Sequence, residues 1–275
     1  MATSKRTVFI VSDGTGITAE ALAHSLLTQF EGFEFAQTVI PFVDSIEKAN
    51  ACVDRIRAAA RRDDERPVVF CTLIDARARS VLHMAPALVL DFFEAFVTPL
   101  EAELNARSTH TVGRAHGTTE TSDYQRRIEA INYTLAHDDG LSNKDLESAE
   151  VILVGVSRSG KTPTCLYMAM QFGVKAANYP LIPEDFERRA LPSALEPHLD
   201  KLYGLTIAPE RLARIRAERR PSSKYASLEN CRYEVQQAEH LMQRHGIRCL
   251  NSTARSIEEI AATIIQDVQV PRHAY

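Results

Sequence analysis

The sequence predicts an α/β protein: an N-terminal open parallel-sheet α/β domain followed by a P-loop kinase-like α/β domain. Three observations lead there. Short apolar runs alternate with stretches of helical periodicity, and strands alternating with helices make a parallel sheet covered on both faces. A strand-like run over 150–154 leads straight into a glycine loop that opens an amphipathic helix. The 275 residues, 45% of them hydrophobic, exceed what one typical domain needs. The expected boundaries are 1–107 for the first domain and 108–275 for the nucleotide-binding one.

The elements follow in order. Val8, Phe9, Ile10 and Val11 are a buried strand, followed by the turn Asp13-Gly14-Thr15-Gly16. Helical spacing over 18–30 aligns Ala21, Leu22, Leu26 and Phe30. A strand over 35–42 comes next. Ser45 then caps a helix running to about residue 62. Pro67 precedes a strand over 68–72, a short helix over 76–84 and a strand over 87–91. Residues 92–106 look helical, with Pro99 a kink or break.

The polar stretch 108–121, with Gly113, His116 and Gly117, reads as a linker or surface loop. A lone loop histidine is more often solvated than catalytic. Ser122-Asp123-Tyr124-Gln125 is a capping box, opening a helix with Tyr124, Ile128, Ile131 and Leu135 on one face. It ends at His137-Asp138-Asp139-Gly140. After the strand over 150–154, a helix over 160–172 aligns Cys165, Met168, Ala169 and Phe172 and closes on Gly173. Strands over 174–182 and 201–207, helices over 209–220 and 230–245, and a strand over 247–250 follow. A second capping box, Ser256-Ile257-Glu258-Glu259, opens a helix burying Ile257, Ile260, Ala261, Ile264 and Val268.

Charge and cysteines narrow the function. The net charge is −4, without the basic excess of a nucleic-acid binder. No run approaches the ~20 apolar residues of a membrane span. The five cysteines are scattered with no C-x-x-C pair, which argues against a disulfide framework or zinc site and fits a reducing cytoplasm.

The strongest signal is Gly155-Val156-Ser157-Arg158-Ser159-Gly160-Lys161-Thr162, which matches G-x-x-x-x-G-K-[ST] in the strand–loop–helix context that the motif requires. Glycines let backbone N–H groups curl around phosphate oxygens, and the helix N-terminus adds partial positive charge. Lys161 reaches the terminal phosphates, and the Thr162 hydroxyl can ligate Mg²⁺. Pro163 sits in the first helical turn, where its missing N–H costs nothing.

No downstream strand ends in the Asp of a motor ATPase or GTPase. Asn143-Lys144-Asp145 resembles a guanine motif but lies upstream of the loop. A kinase is left, with its acid supplied from elsewhere. The candidates are Asp138-Asp139, before the loop, and Glu184-Asp185, past the strand that follows the loop helix. Each is as readily a solvated acid at a turn. Arg211, Arg214, Arg216, Arg219 and Arg220 form a basic run, either a solvated face or a lid over transferring charge. The turn Ser12-Asp13-Gly14-Thr15-Gly16 either holds phosphate at a helix N-terminus or is a tight turn with no ligand.

Several of these segments together resemble one family. They are Val8 through Glu20, Arg127-Ile128-Glu129-Ala130-Ile131-Asn132, His137-Asp138-Asp139-Gly140, the loop with Pro163, and Ala177-Asn178-Tyr179-Pro180-Leu181-Ile182-Pro183-Glu184. The chain resembles the phosphoenolpyruvate synthase regulatory proteins, relatives of the plant pyruvate, phosphate dikinase regulatory protein, from about residue 7 to 265. The resemblance implies a bifunctional serine/threonine kinase and phosphorylase. It would phosphorylate a threonine of phosphoenolpyruvate synthase with ADP as donor, and remove that phosphate with inorganic phosphate as acceptor, releasing pyrophosphate. ADP would bind across Gly155 to Thr162. Lys161, Asp138, Asp139 and Asp185 are the catalytic candidates and Thr162 the Mg²⁺ ligand. The alternatives are a small-metabolite kinase, the same regulator acting on the dikinase, and a nucleotide-sensing module without catalysis. Nothing in the pattern excludes a homo-oligomer.

Overall fold

The computed structural model describes residues 4–109, 121–140, 142 and 144–269. The chain divides into two compact units, Met1–Gly117 and Thr118–Tyr275. The expected linker features Gly113, His116 and Gly117 lie outside the described residues, as do Asn143 and the side chains of Ser122 and Asp123.

Unit 1 runs β1 (Ser4–Ser12), α1 (Ile17–Leu27), β2 (Phe33–Ile40), α2 (Ile46–Asp63), β3 (Val68–Thr72), α3 (Ala76–Leu82), β4 (Leu88–Asp91) and α4 (Phe92–Leu104). Its four strands lie in the order β2-β1-β3-β4, all parallel. Alternation along the central strands splits the core between the two faces. Phe9, Val11, Val69 and Cys71 pack with Cys52, Val53 and Ile56 of α2 and Leu82 of α3. Val8, Ile10 and Phe70 pack with Ala19, Ala23 and Leu27 of α1.

Unit 2 runs α5 (Thr121–Ala136), β5 (Val151–Gly155), α6 (Lys161–Phe172), β6 (Ala176–Pro180), α7 (Pro183–Arg188), β7 (Leu202–Thr206), α8 (Pro209–Arg219), α9 (Leu228–Arg244), β8 (Cys249–Asn251) and α10 (Ile257–Val268). The order is β6-β5-β7-β8, again all parallel. Val151 and Leu153 face Cys165 and Met168 of α6 and Ile260 and Ile264 of α10. Ile152 and Val154 face Val235, Leu241 and Met242 of α9. Ser45 and Ser256 cap α2 and α10 as expected, and Glu259 Oε2 returns the bond to the Ser256 N–H at 2.8 Å.

Several expectations are corrected. In α1 the buried residues are Ala19, Ala23 and Leu27, while Leu26 and Phe30 are exposed. In α5 the buried positions are Ala130, Tyr133 and Thr134, and Tyr124, Ile128 and Leu135 are exposed. In both helices the buried face is set by what the helix packs on, the sheet for α1 and α6 with β6 for α5, and a periodicity reading does not know those partners. The second strand ends at Ile40, because Phe42 adopts φ 57. Pro99 lies inside α4, which continues to Leu104. The expected strand over 174–182 is the shorter β6, and Pro183, at the first helical position, opens α7 instead of a turn.

Of the glycines in unit 2, Gly155, at the end of β5, lies tightest against neighbouring backbone. Gly155 adopts φ 148, and a Cβ there would overlap the Leu205 carbonyl oxygen of β7. Overlap with backbone and strain at that φ add. Gly155→Ala is expected to lower stability by about 3 kcal/mol or more, read as a fall in the urea unfolding midpoint.

Candidate functional site

The chain runs from β5 to β6 on one side and then to β7 on the other, so the carboxyl end of β5 lies at a topological switch point, where open α/β sheets place ligands. The loop between β5 and α6 starts there. Gly155, Arg158 (φ 75) and Gly160 (φ 99) take positive φ, which curls the backbone tightly enough to enter α6. Lys161, the first residue of α6, folds back across the loop. Its Nζ donates to Gly155 O at 3.1 Å and Val156 O at 2.9 Å. The side chain is buried, and that burial lowers its pKa to about 8 against the opposing pull of Asp139 and Asp138. Ser159 Oγ is buried in the loop with no hydrogen-bond partner among the described residues. The loop residues that line the cavity beside it are Ser157, Arg158, Gly160, Lys161 and Thr162, a backbone and lysine surface that fits a phosphate ligand.

Thr162 faces Asp138 and Asn178. Its Oγ1 donates to Asp138 Oδ1 at 2.8 Å; Asn178 Nδ2 donates to Asp138 Oδ1 at 2.6 Å and to Thr162 Oγ1 at 2.8 Å. Asp138 opens a 3-10 turn, Asp138–Gly140, after α5. The Asn178 N–H donates to His137 O, tying β6 to that turn. His137 is structural: its ring nitrogens bond Tyr133 O and Lys144 O, each at 2.7 Å. A hydroxyl and a carboxylate oxygen this close form a donor set that suits a hard divalent cation such as Mg²⁺.

A cavity of about 660 Å³ opens over the loop, lined among others by Asp139, Lys161, Thr162, Arg211, Arg219 and Arg220. The structure therefore brings Asp138, Asp139, Lys161 and Thr162 together with three arginines of the basic run. It does not bring Asp185 to them. Asp185 is buried, its Oδ2 accepts the Ile182 N–H at 3.0 Å and caps α7, burial raises its pKa, and it does not line the cavity. Glu184 is exposed on the same helix. Arg216 also departs from the lid expectation. It is fully buried and paired with Glu234 at 2.7 Å. Arg214 is exposed and does not line the cavity. Residue patterns missed Asn178, Tyr225 and Ser252. Of these only Asn178 left a trace, as a polar residue inside an apolar strand.

In unit 1 the Ser12–Gly16 turn is braced by one internal bond and one from the connection after β3. Ser12 Oγ accepts the Gly14 N–H at 3.1 Å, and Asp13 Oδ2 accepts the Ile74 N–H at 2.7 Å. His83 Nε2 lies 3.9 Å from Asp91 Oδ2 and 4.0 Å from Glu94 Oε2, but Arg79 Nε, 3.6 Å from the same Asp91 oxygen, already supplies positive charge there.

Among the described residues no helix is long and apolar enough to cross a membrane. The sequence pattern of the kinase/pyrophosphorylase family matches residues 8–265. A protein of Burkholderia multivorans, described as "Putative phosphoenolpyruvate synthase regulatory protein", is 61% identical over 269 residues, covering 98% of this chain and 99% of its own. Proteins with the same description from Azoarcus sp. (strain BH72) and Aromatoleum aromaticum are 61% and 62% identical over 271 residues, covering 98% of each chain.

The buried ammonium gives a pH prediction. Burial disfavours the charged form of Lys161, so in the free protein it loses its proton as pH rises through about 8. A polyphosphate favours the charged form, so binding above that pH must take up a proton. Affinity for inorganic pyrophosphate, measured by titration calorimetry, is expected to hold steady from pH 7 to 8 and then fall by up to about tenfold per pH unit. Lys161→Met is expected to bind weakly and lose the slope.

Proposed function

This chain belongs to the kinase/pyrophosphorylase family, and from that membership we propose that it is a bifunctional regulator of phosphoenolpyruvate synthase. It transfers the β-phosphoryl group of ADP to a threonine of the synthase, inactivating it. It also removes that phosphate with inorganic phosphate, releasing pyrophosphate and reactivating the synthase. The observation that carries this reading is the juxtaposition of one phosphate loop with the Asp138–Thr162–Asn178 cluster under a cavity edged by arginines. The names of the relatives supply the partner.

One site serves both directions. The loop N–H groups and Lys161 hold the β-phosphoryl group, and Arg211, Arg219 and Arg220 neutralise charge as it transfers. In the forward direction the threonine Oγ attacks the β-phosphorus, the bond to the bridging oxygen breaks, and AMP leaves. Asp139, which lines the cavity, takes the hydroxyl proton. In the reverse direction an oxygen of inorganic phosphate attacks the phosphothreonine phosphorus. The threonine oxygen leaves with a proton returned from Asp139, and pyrophosphate forms. Asp138 and Thr162 would hold Mg²⁺, which neutralises phosphate charge when bound. Asn178 keeps that pair in register.

The test follows label from β-labelled ADP, and in parallel from γ-labelled ATP, into purified synthase. Label is expected on a synthase threonine from ADP and to leave as pyrophosphate when phosphate is added. No transfer from either donor to a competent synthase would sink the proposal and favour a small-metabolite kinase. Lys161→Met is expected to abolish both directions, and Asp139→Asn to slow both by about 100-fold or more. Loss of one direction alone would refute the shared site.

A further inference from the structure

A planar peptide points its C=O and N–H in opposite directions. A loop that offers N–H groups inward to an anion must turn the matching carbonyls outward, and a buried carbonyl needs a donor. Besides the Leu181 N–H, which donates to Gly155 O at 3.0 Å, two side-chain donors come from outside the loop motif. Arg216 Nη2 donates to Ser157 O at 3.1 Å, and Ser252 Oγ donates to Ser159 O at 2.8 Å. The first bond fixes the peptide whose N–H belongs to Arg158, the second the peptide whose N–H belongs to Gly160. We infer that Arg216 and Ser252 are positioning residues that hold the loop ready for the phosphates of its ligand. The inference rests on the reading of this loop as a nucleotide phosphate site.

The surroundings of both residues fit that role. Arg216 lies on α8 and is fully buried. Its Nη2 is shared between Ser157 O and Glu234 Oε2, its Nη1 donates to Tyr225 O at 3.1 Å, and its guanidinium lies 4.1 Å from the Tyr225 ring centroid. Glu234 neutralises the charge, so the fork acts as a rigid donor rather than a free cation. Tyr225 Oη is 3.0 Å from Ser157 Oγ, which holds the same loop residue by its side chain. Ser252 follows β8 and is itself fixed, because its own N–H donates to Thr206 O at 2.9 Å. Elements distant in sequence thus converge on two loop carbonyls, while Lys161 holds those of Gly155 and Val156.

The test compares wild type, Ser252→Ala and Arg216→Lys for binding of ADP and of inorganic pyrophosphate by calorimetry, alongside urea unfolding. Lysine can keep the ion pair with Glu234 but lacks the fork that also reaches Ser157. Each variant is expected to weaken both ligands about tenfold, and the double variant about a hundredfold, because the two bonds fix different peptides. In turnover the KM for ADP is expected to rise while the KM for the protein substrate stays unchanged, a split that general loosening of the fold would not produce. Folded Ser252→Ala binding both ligands as tightly as wild type overturns the inference, and it decides the matter even if Arg216→Lys does not fold. Wild type that binds pyrophosphate but accepts no phosphoryl group from ADP refutes the proposed reaction while the pyrophosphate affinities still decide this one. Wild type that binds neither ligand refutes both.

Discussion

Everything at the site depends on turning a stretch of peptide so that its N–H groups face one way. Eight residues, Gly155 to Thr162, leave a strand whose five positions are all buried. They must enter a helix without exposing their carbonyls to the anion. Positive φ at Gly155, Arg158 and Gly160 makes the curl sterically possible. Lysine, arginine and serine donors then take the outward carbonyls. The loop is therefore held by the tertiary structure around it as much as by its own glycines.

The two units show what separates a binding loop from a turn. Each sheet has the order second-first-third-fourth in its own strands, and each first strand ends in a glycine-containing turn that opens a helix. In unit 1 the turn carries Asp13, whose carboxylate receives a backbone N–H from the next connection. In unit 2 the corresponding turn leads into Lys161, the first residue of α6, and carries a serine hydroxyl with no partner among the described residues. The two turns thus carry different chemical groups, and a shared strand order by itself assigns no shared function.

The charges in unit 2 are also sorted by burial. Arg216 and Glu234 are removed from water as a pair, which makes them architecture. Arg211, Arg219 and Arg220 reach the cavity from the same helix and its end. One helical run of arginines therefore serves two purposes: Arg216 is buried beneath the loop, while the exposed Arg211, Arg219 and Arg220 line the cavity.

The parallel α/β class, the phosphate loop and its lysine, and the helix caps at Ser45 and Ser256 were all determined by local sequence. Each depends on neighbours in the chain: apolar runs, glycine spacing, and a hydroxyl just before a helix. The helix faces of α1 and α5 were not, because the buried face is chosen by the elements each helix packs on, and those are distant in sequence. Nor was the choice between the acidic pairs, since Asp138 reaches Thr162 only when β6 pairs beside β5 and carries Asn178 between them. Arg216 and Arg219 stand three residues apart in one charged run, yet one is buried under the loop and the other opens onto the cavity. Sequence determined which chemical groups were present; only the packing of distant elements decided which of them face the cavity and which hold the loop beneath it.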